Sequence, residues 1–252
     1  LIFALLLSAV ASLVLGMGLP VTAAYIVLAI LSAPALSGML ADGLVVEQLV
    51  AGISDPAKAA MFMLVDSPHV AKVPSGMTAA EAQQLVSAMP FELAVVIRPA
   101  IVDAATMTTL LLTAHLIIFW LSQDSNVTPP VCLAAFTAAG IAGSPPMATG
   151  FQAWKIAKGL YIIPLLFAYT PMIGGSLWEV IHVGFFSLFG IYAFTTLIQR
   201  YSEGPIPIWM YPVILSAAAA TFWPLHLVAN IAGAAVIVTV VVVTARAGRR
   251  LL

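Results

Sequence analysis

The sequence contains few charged residues and a single cysteine, and both features limit the classes of protein to which it can belong. Only 8% of its 252 residues are charged, against about 25% in an average soluble domain, which disfavours a soluble globule. Nine Lys and Arg residues against ten Asp and Glu residues provide no basic field, so nucleic acid is not expected as a partner. The single cysteine, Cys132, excludes an internal disulfide and a multi-thiolate metal site.

The sequence is rich in apolar residues. Hydrophobic residues make up 62% of the chain, and its mean hydropathy is +1.11. Because several stretches share this excess, the composition predicts an all-α integral membrane protein that spans the lipid bilayer several times. Leu1 opens an apolar run without a methionine, a charged leader or a cleavage site, so we expect a C-terminal piece of a longer protein.

The placement of charge divides the chain. Residues 1–41 carry none, whereas residues 42–103 carry ten of the nineteen charged residues. We therefore predict a membrane segment over 1–36, a polar soluble insertion over 37–103, a membrane core over 104–175 and C-terminal membrane helices over 176–252. Within the insertion, Thr78 followed by Glu81 is a capping-box pattern that predicts the start of a short helix.

Hydropathy predicts eight apolar segments: residues 2–15, 20–36, 105–122, 127–142, 157–172, 178–198, 207–226 and 229–245. The first and fourth are shorter than the roughly 20 residues of a full crossing, which favours broken helices or re-entrant hairpins. If the last three segments each cross once, the basic residues near their ends share one side, and the positive-inside rule makes that side, with the C-terminus, cytoplasmic. These residues are Lys155, Lys158, Arg200, Arg246, Arg249 and Arg250.

Two segments interrupt the backbone at membrane depth. In residues 15–25, glycines precede a proline, which predicts an unwound turn: Gly16, Gly18 and Pro20. In residues 122–136, oxygen-bearing side chains precede two prolines: Asp124, Ser125, Asn126, Thr128, Pro129 and Pro130. Irregular backbone survives in hydrocarbon only inside protein or around a cavity, where free carbonyls can hold a cation. The pattern predicts the binding site of a secondary transporter.

Simpler interpretations stay open for each feature. The Gly-Pro break can be a kink or a close helix crossing, and the Asp124 segment can be an interfacial loop. His115 is favoured as a hydrogen-bonded packing residue over a proton relay, and Glu179 with His182 as a solvated pair over a metal or proton site. No catalytic motif is present, so we expect no enzymatic activity; an intramembrane enzyme would have to depend on His115 or Asp124.

Two stretches resemble a known family. They are LGMGLPVTAAYIVLAILSAPAL and AHLIIFWLSQDSNVTPPVCLAAFTAAGIAGSPPMATGFQAWKIAKGLYIIPLLFAYTPMI. Together they resemble the large membrane subunit of tripartite ATP-independent periplasmic (TRAP) transporters, and within them the TAXI branch, in which small and large membrane subunits are often fused.

The resemblance implies an elevator-type carrier with inverted repeats in the bacterial inner membrane, driven by a sodium or proton gradient and supplied by a periplasmic binding protein. It implies no cofactor other than Na⁺ as a coupling ion. Carried over residue by residue, it assigns cation and substrate binding to Gly16, Met17, Gly18, Pro20, Thr22, Asp124, Ser125, Asn126, Thr128, Pro129 and Pro130, with a sodium site formed by the same loops.

The sequence departs from the family pattern in two respects. The polar stretch of residues 37–103 separates segments that usually lie within a few residues of each other, and the first repeat is absent. We therefore expect transport only with the remaining N-terminal half or small membrane subunit. The leading hypothesis is import of an organic acid; the alternative is a non-transporting scaffold whose polar insertion docks a partner.

Overall fold

A computed structural model describes residues 1–248, of which most are helical and none lies in a strand. Arg249 and Arg250, used above for orientation, lie outside the described residues. The helices are α1 (Ile2–Gly16), α2 (Val21–Ala51), α3 (Pro56–Met61), α4 (Ala79–Ser87), α5 (Phe91–Ile101), α6 (Ala104–Gln123), α7 (Leu133–Ala142), α8 (Pro146–Ala157), α9 (Ile162–Tyr169), α10 (Leu177–Gln199), α11 (Tyr211–Thr221) and α12 (Leu227–Gly248).

Four segments are long and apolar enough to cross a membrane: Val21–Ala51, Ala104–Asn126, Leu177–Gln199 and Leu227–Arg246. With the helical content, they confirm an all-α integral membrane protein. Three apolar helices are shorter: Ile2–Gly16, Leu133–Ala142 and Ile208–Thr221. The segment predicted over 157–172 is a 3₁₀ turn followed by α9, which ends at Tyr169 because Thr170 precedes a proline and is extended.

Helix ends follow local chemistry. The predicted break after α1 is present, since Gly16 ends the helix and residues 17–19 form a turn before α2. The predicted capping box at Thr78 is confirmed. The Thr78 hydroxyl accepts a hydrogen bond from the backbone amide of Glu81, and the Glu81 carboxylate accepts one from the backbone amide of Thr78. Ser176 and Glu179 form a second capping box at the start of α10.

The chain divides into two compact units. One comprises residues 1–6 and 28–115, and the other comprises residues 7–27 with the described part of 116–252. In the first unit, α2 continues past residue 36 to Ala51, and its C-terminal half packs with α3, α4 and α5 around a core that includes Leu49, Phe62 and Leu85. The side chain of Arg98 donates two hydrogen bonds of 2.8 Å to the carboxylate of Asp42, which joins α5 to α2.

In the second unit, α10, α11 and α12 form a bundle with close helix crossings. A Cβ at Gly190 would overlap the ring of Phe222, and a Cβ at Gly233 would lie 2.6 Å from the carbonyl oxygen of Ala217. Only glycine permits these approaches, as in other membrane helix pairs.

The same bundle corrects one expectation. His182 is not solvated beside Glu179, because it is 6% exposed and its Nε2 lies 2.8 Å from Oδ1 of Asn230. The amide of Asn230 donates to the carbonyls of Ala220, Thr221 and Trp223. Asn230 therefore caps the C-terminal end of α11, and its oxygen must accept from a protonated Nε2 of His182.

Candidate functional site

The two backbone breaks meet in the second unit. The end of α1 lies directly against the 3₁₀ turn Asp124–Asn126 that follows α6. A Cβ at Gly16 would overlap Cβ of Ser125 and would lie 2.6 Å from its Oγ. Side-chain carbons essentially never approach within 3.0 Å of another heavy atom, so this contact requires glycine at position 16. The backbone of α1 at Gly16 therefore approaches the side chain of Ser125 more closely than a residue with a Cβ at position 16 would allow.

Buried hydroxyl groups connect the same two helices. Oγ of Ser12, one turn before Gly16, lies 3.4 Å from Oγ of Ser122, and both residues are fully buried. Ser122 donates to the carbonyl of Ile118 at 2.8 Å, and Ser125 donates to the carbonyl of Ser122 at 3.0 Å. Three hydroxyls are thus held in fixed positions at the junction of α1 and α6.

Asp124 differs from these serines because no described group forms a hydrogen bond with its side chain. Its residue is 4% exposed, and both carboxylate oxygens are buried without a hydrogen-bond partner among the described residues. An isolated carboxylate is costly to bury, so in an ionised state it would need a cation beside it, and otherwise it would need a proton. Either one fits the residue types of this segment, because Ser125 and Thr128 are buried hydroxyl-bearing residues close to Asp124 in the chain, and hydroxyl and carboxylate oxygens are ligands for hard cations.

Neighbouring helices and turns hold the second loop, residues 122–136, in place. Nε1 of Trp120 donates to the carbonyl of Leu160 at 3.0 Å, which joins α6 to the 3₁₀ turn Lys158–Tyr161. Oγ1 of Thr128 lies 3.5 Å from the hydroxyl of Tyr161. A Cβ at Gly150 would lie 2.6 Å from Sγ of Cys132, so α8 packs closely against the end of this loop. The Pro129–Pro130 bond between these contacts is cis.

The predicted site residues fall into two groups by exposure. Gly16, Asp124, Ser125 and Thr128 are buried, and Asn126 and Pro129 are partly buried. The other predicted residues are exposed: Met17, Gly18, Pro20, Thr22 and Pro130. The structure brings Gly16 and Ser125 into contact, but the binding role of the whole set stays a prediction.

Sequence reasoning missed Ser12, Ser122 and Tyr161. Ser12 and Gly16 are four residues apart and so share one face of α1. A serine one helical turn before the glycine, within an apolar run, is the sequence signal that indicates a polar contact on this face of α1. Ser122 likewise lies three residues before Ser125, but nothing local to the sequence indicates that Tyr161 reaches Thr128.

Comparison with known proteins gives one match. A family model described as "Tripartite ATP-independent periplasmic transporter, DctM component" matches residues 1–173. No curated protein and no solved structure matches the chain. The matched range includes both backbone breaks and the polar stretch, and it ends before the bundle of α10, α11 and α12.

Proposed function

Since the chain belongs to the DctM component family of tripartite ATP-independent periplasmic transporters, we propose that it forms part of a permease that imports an organic acid by secondary active transport. The family is one of transporter components and not of enzymes, and its name implies a periplasmic partner and a membrane location. The observation that carries the mechanism is the buried Asp124 carboxylate, which lacks a hydrogen-bond partner within residues 1–248.

In this proposal, Asp124 and the hydroxyls around it bind the coupling ion. Sodium would be held by oxygen atoms, for which Asp124, Ser125 and Thr128 are the buried candidates. In a proton-coupled version, Asp124 would bind the proton. Either ion removes the cost of a bare carboxylate in a dry site, which ties occupancy of this loop to the gradient across the membrane.

The substrate is proposed to bind beside this site, at the exposed part of the first loop. Met17, Gly18 and Pro20 are exposed in the turn after α1, where another membrane component of the transporter, an N-terminal half or a small membrane subunit, would complete the pocket. A TAXI-type fusion would place that half on the same polypeptide. A periplasmic binding protein would deliver the acid from outside.

The proposed location is the bacterial inner membrane, with the C-terminus in the cytoplasm. Lys155 lies in the last turn of α8, and Lys158 begins the 3₁₀ turn that precedes α9. Arg200 ends α10, and Arg246 lies in the last turn of α12. These positions share one side of the membrane if the α9 segment, α10, the α11 segment and α12 each cross it once, and basic residues favour the cytoplasmic side.

The test is uptake by the complete protein that contains this chain. Proteoliposomes would hold the purified protein, with its binding protein outside, and labelled C4-dicarboxylates or glutamate would be supplied with an imposed sodium or proton gradient. We expect accumulation that requires both the binding protein and one of the gradients. Asp124→Asn should abolish gradient-driven accumulation, whereas Asp66→Asn, at an exposed carboxylate in the polar stretch, should leave it unchanged.

Other outcomes would redirect the proposal. If Asp124→Asn keeps sodium-dependent uptake, Asp124 does not carry a coupled proton. If Asn126→Ala and Thr128→Ala both leave uptake untouched, the second loop does not form the site, and the scaffold alternative gains support.

A further inference from the structure

The C-terminal bundle contains two adjoining cavities outside the range of the family match. The larger is a groove of about 450 Å³ between α10 and α12, with apolar walls that include Phe185, Leu188, Val238 and Val242. The smaller is a pocket of about 190 Å³ at the end of α10, with polar walls that include Thr195, Gln199, Tyr201 and Ser202. Because Tyr192 and Glu203 line both cavities, the two form one amphipathic site.

The apolar and polar parts lie at different depths along membrane-spanning helices. Both α10 and α12 are long and apolar enough to cross a bilayer, which places the groove between them at hydrocarbon depth. The polar pocket lies where α10 ends and the chain turns back, at a bridge between Tyr201 and Pro205. The hydroxyl of Tyr192 lies 2.9 Å from Oγ of Ser202 and fixes this turn against the helix.

Glu203 is the charged residue among those that line the two cavities, whereas Arg200, which ends α10, lines neither. Glu203 is exposed, and it forms no ion pair within the part of the chain that the structure describes. A fatty acid or an anionic lipid headgroup would bring a second negative charge next to this carboxylate. An ammonium group would instead complement Glu203, and the surrounding hydroxyl and amide groups could donate to a phosphate.

We propose that this cavity binds a phospholipid with a primary-amine headgroup. One acyl chain lies in the groove between α10 and α12, the phosphate lies beside Thr195, Gln199 and Tyr201, and the ammonium group lies against Glu203. The groove volume is within the range of about 300–1,000 Å³ that is typical of small-molecule sites. The proposal is independent of transport, because it rests on residues that the family match does not include.

Native mass spectrometry of the complete protein in detergent tests the proposal. Phosphatidylethanolamine, phosphatidylcholine and phosphatidylglycerol would be added at equal concentration, and the fraction of protein that retains each lipid would be measured. We expect the wild type to retain phosphatidylethanolamine several-fold more than either other lipid. Glu203→Gln should remove this headgroup preference, and Val238→Trp should reduce retention of all three lipids because it fills the groove.

Two matched variants serve as controls. Glu92→Gln neutralises an exposed carboxylate in α5, and Ile231→Trp adds an aromatic ring to an exposed position of α12 outside the groove lining. Both should retain lipids as the wild type does, and all variants should elute as folded protein in size-exclusion chromatography. The proposal fails if the wild type shows no headgroup preference or prefers phosphatidylglycerol, or if Glu203→Gln keeps the wild-type preference. It also fails if Val238→Trp breaks an oligomer while lipid retention is unchanged, since the occupant would then be a protein helix.

Discussion

Replacement of Gly16 by alanine tests whether the contact between the two breaks holds the site together. The added Cβ would overlap Cβ of Ser125, and rotation of the serine side chain cannot relieve the overlap because its Cβ is fixed to the backbone. Overpacking of this kind costs about 1–3 kcal/mol. Because the overlap joins two carbons that cannot rotate away, the upper part of this range, about 2–3 kcal/mol, applies. Alanine favours the helical backbone by about 0.5–1 kcal/mol over glycine, so the net destabilisation is about 1–2.5 kcal/mol. At roughly 2–4 °C per kcal/mol, the melting temperature should fall by several degrees.

The assay is thermal unfolding of the complete protein in detergent, together with gradient-driven uptake in proteoliposomes. Gly18→Ala is the matched control for stability, because a Cβ at that position has no heavy atom within 4 Å, and it should leave the melting temperature unchanged. The double variant Gly16→Ala with Ser125→Gly removes the overlapping atoms and should recover most of the lost stability. Equal melting temperatures for Gly16→Ala and Gly18→Ala, or no recovery in the double variant, would refute the reasoning.

Three further predictions concern other parts of the chain. Asn230→Ala should destabilise the protein by about 2–4 kcal/mol in thermal unfolding, because it leaves the α11 carbonyls and the buried Nε2 of His182 without their partners. Gly233→Ala should destabilise the protein by the same measurement, because overpacking of about 1–3 kcal/mol exceeds the helix-propensity gain. Gly184→Ala, with open space around its Cβ, should instead be stabilised by up to about 1 kcal/mol. The hydrogen bond from Lys72, followed by those from Thr78, lowers the pKa of Glu81 to about 2, so the stability it contributes is present above pH 4.5 and is lost as the pH falls towards 2. Glu81→Gln should therefore flatten the pH dependence of unfolding in that window, and an unchanged pH profile would contradict the assignment.

Local patterns in the sequence predicted features that depend on a few neighbouring residues. The capping box at Thr78 and the break after Gly16 need only the chemistry within one turn of chain, and both are present in the structure. The apolar composition was likewise sufficient for the all-α membrane class, because backbone groups in hydrocarbon must be satisfied within helices. The contact between Gly16 and Ser125 could not be predicted in this way, since more than 100 residues separate them.

Long-range pairing explains where local reasoning failed. The second apolar segment is predicted to end at residue 36, before the first charged residue, Asp42, yet α2 continues to Ala51. The charge of Asp42 is paired with Arg98, 56 residues away along the chain, so it does not interrupt the helix. The position of Glu179 and His182 near an external helix end predicts a solvated pair, but the partner of His182 is Asn230, 48 residues further on. In both cases the deciding residue lies outside any local window.

The composition of the cluster around Asp124 constrains how a coupling ion would act in the proposed transporter. The polar side chains that join α1 to the end of α6, those of Ser12, Ser122 and Ser125, are neutral hydroxyls, so the charge of this junction depends on Asp124 and on what it binds. A proton or a sodium ion makes it neutral, whereas a bare carboxylate would repel an anionic substrate at close range. The ion would therefore bind before the organic acid. Asparagine at position 124 keeps the cluster neutral without an ion, so the variant should still bind the acid in equilibrium binding measurements while the gradient no longer drives its accumulation.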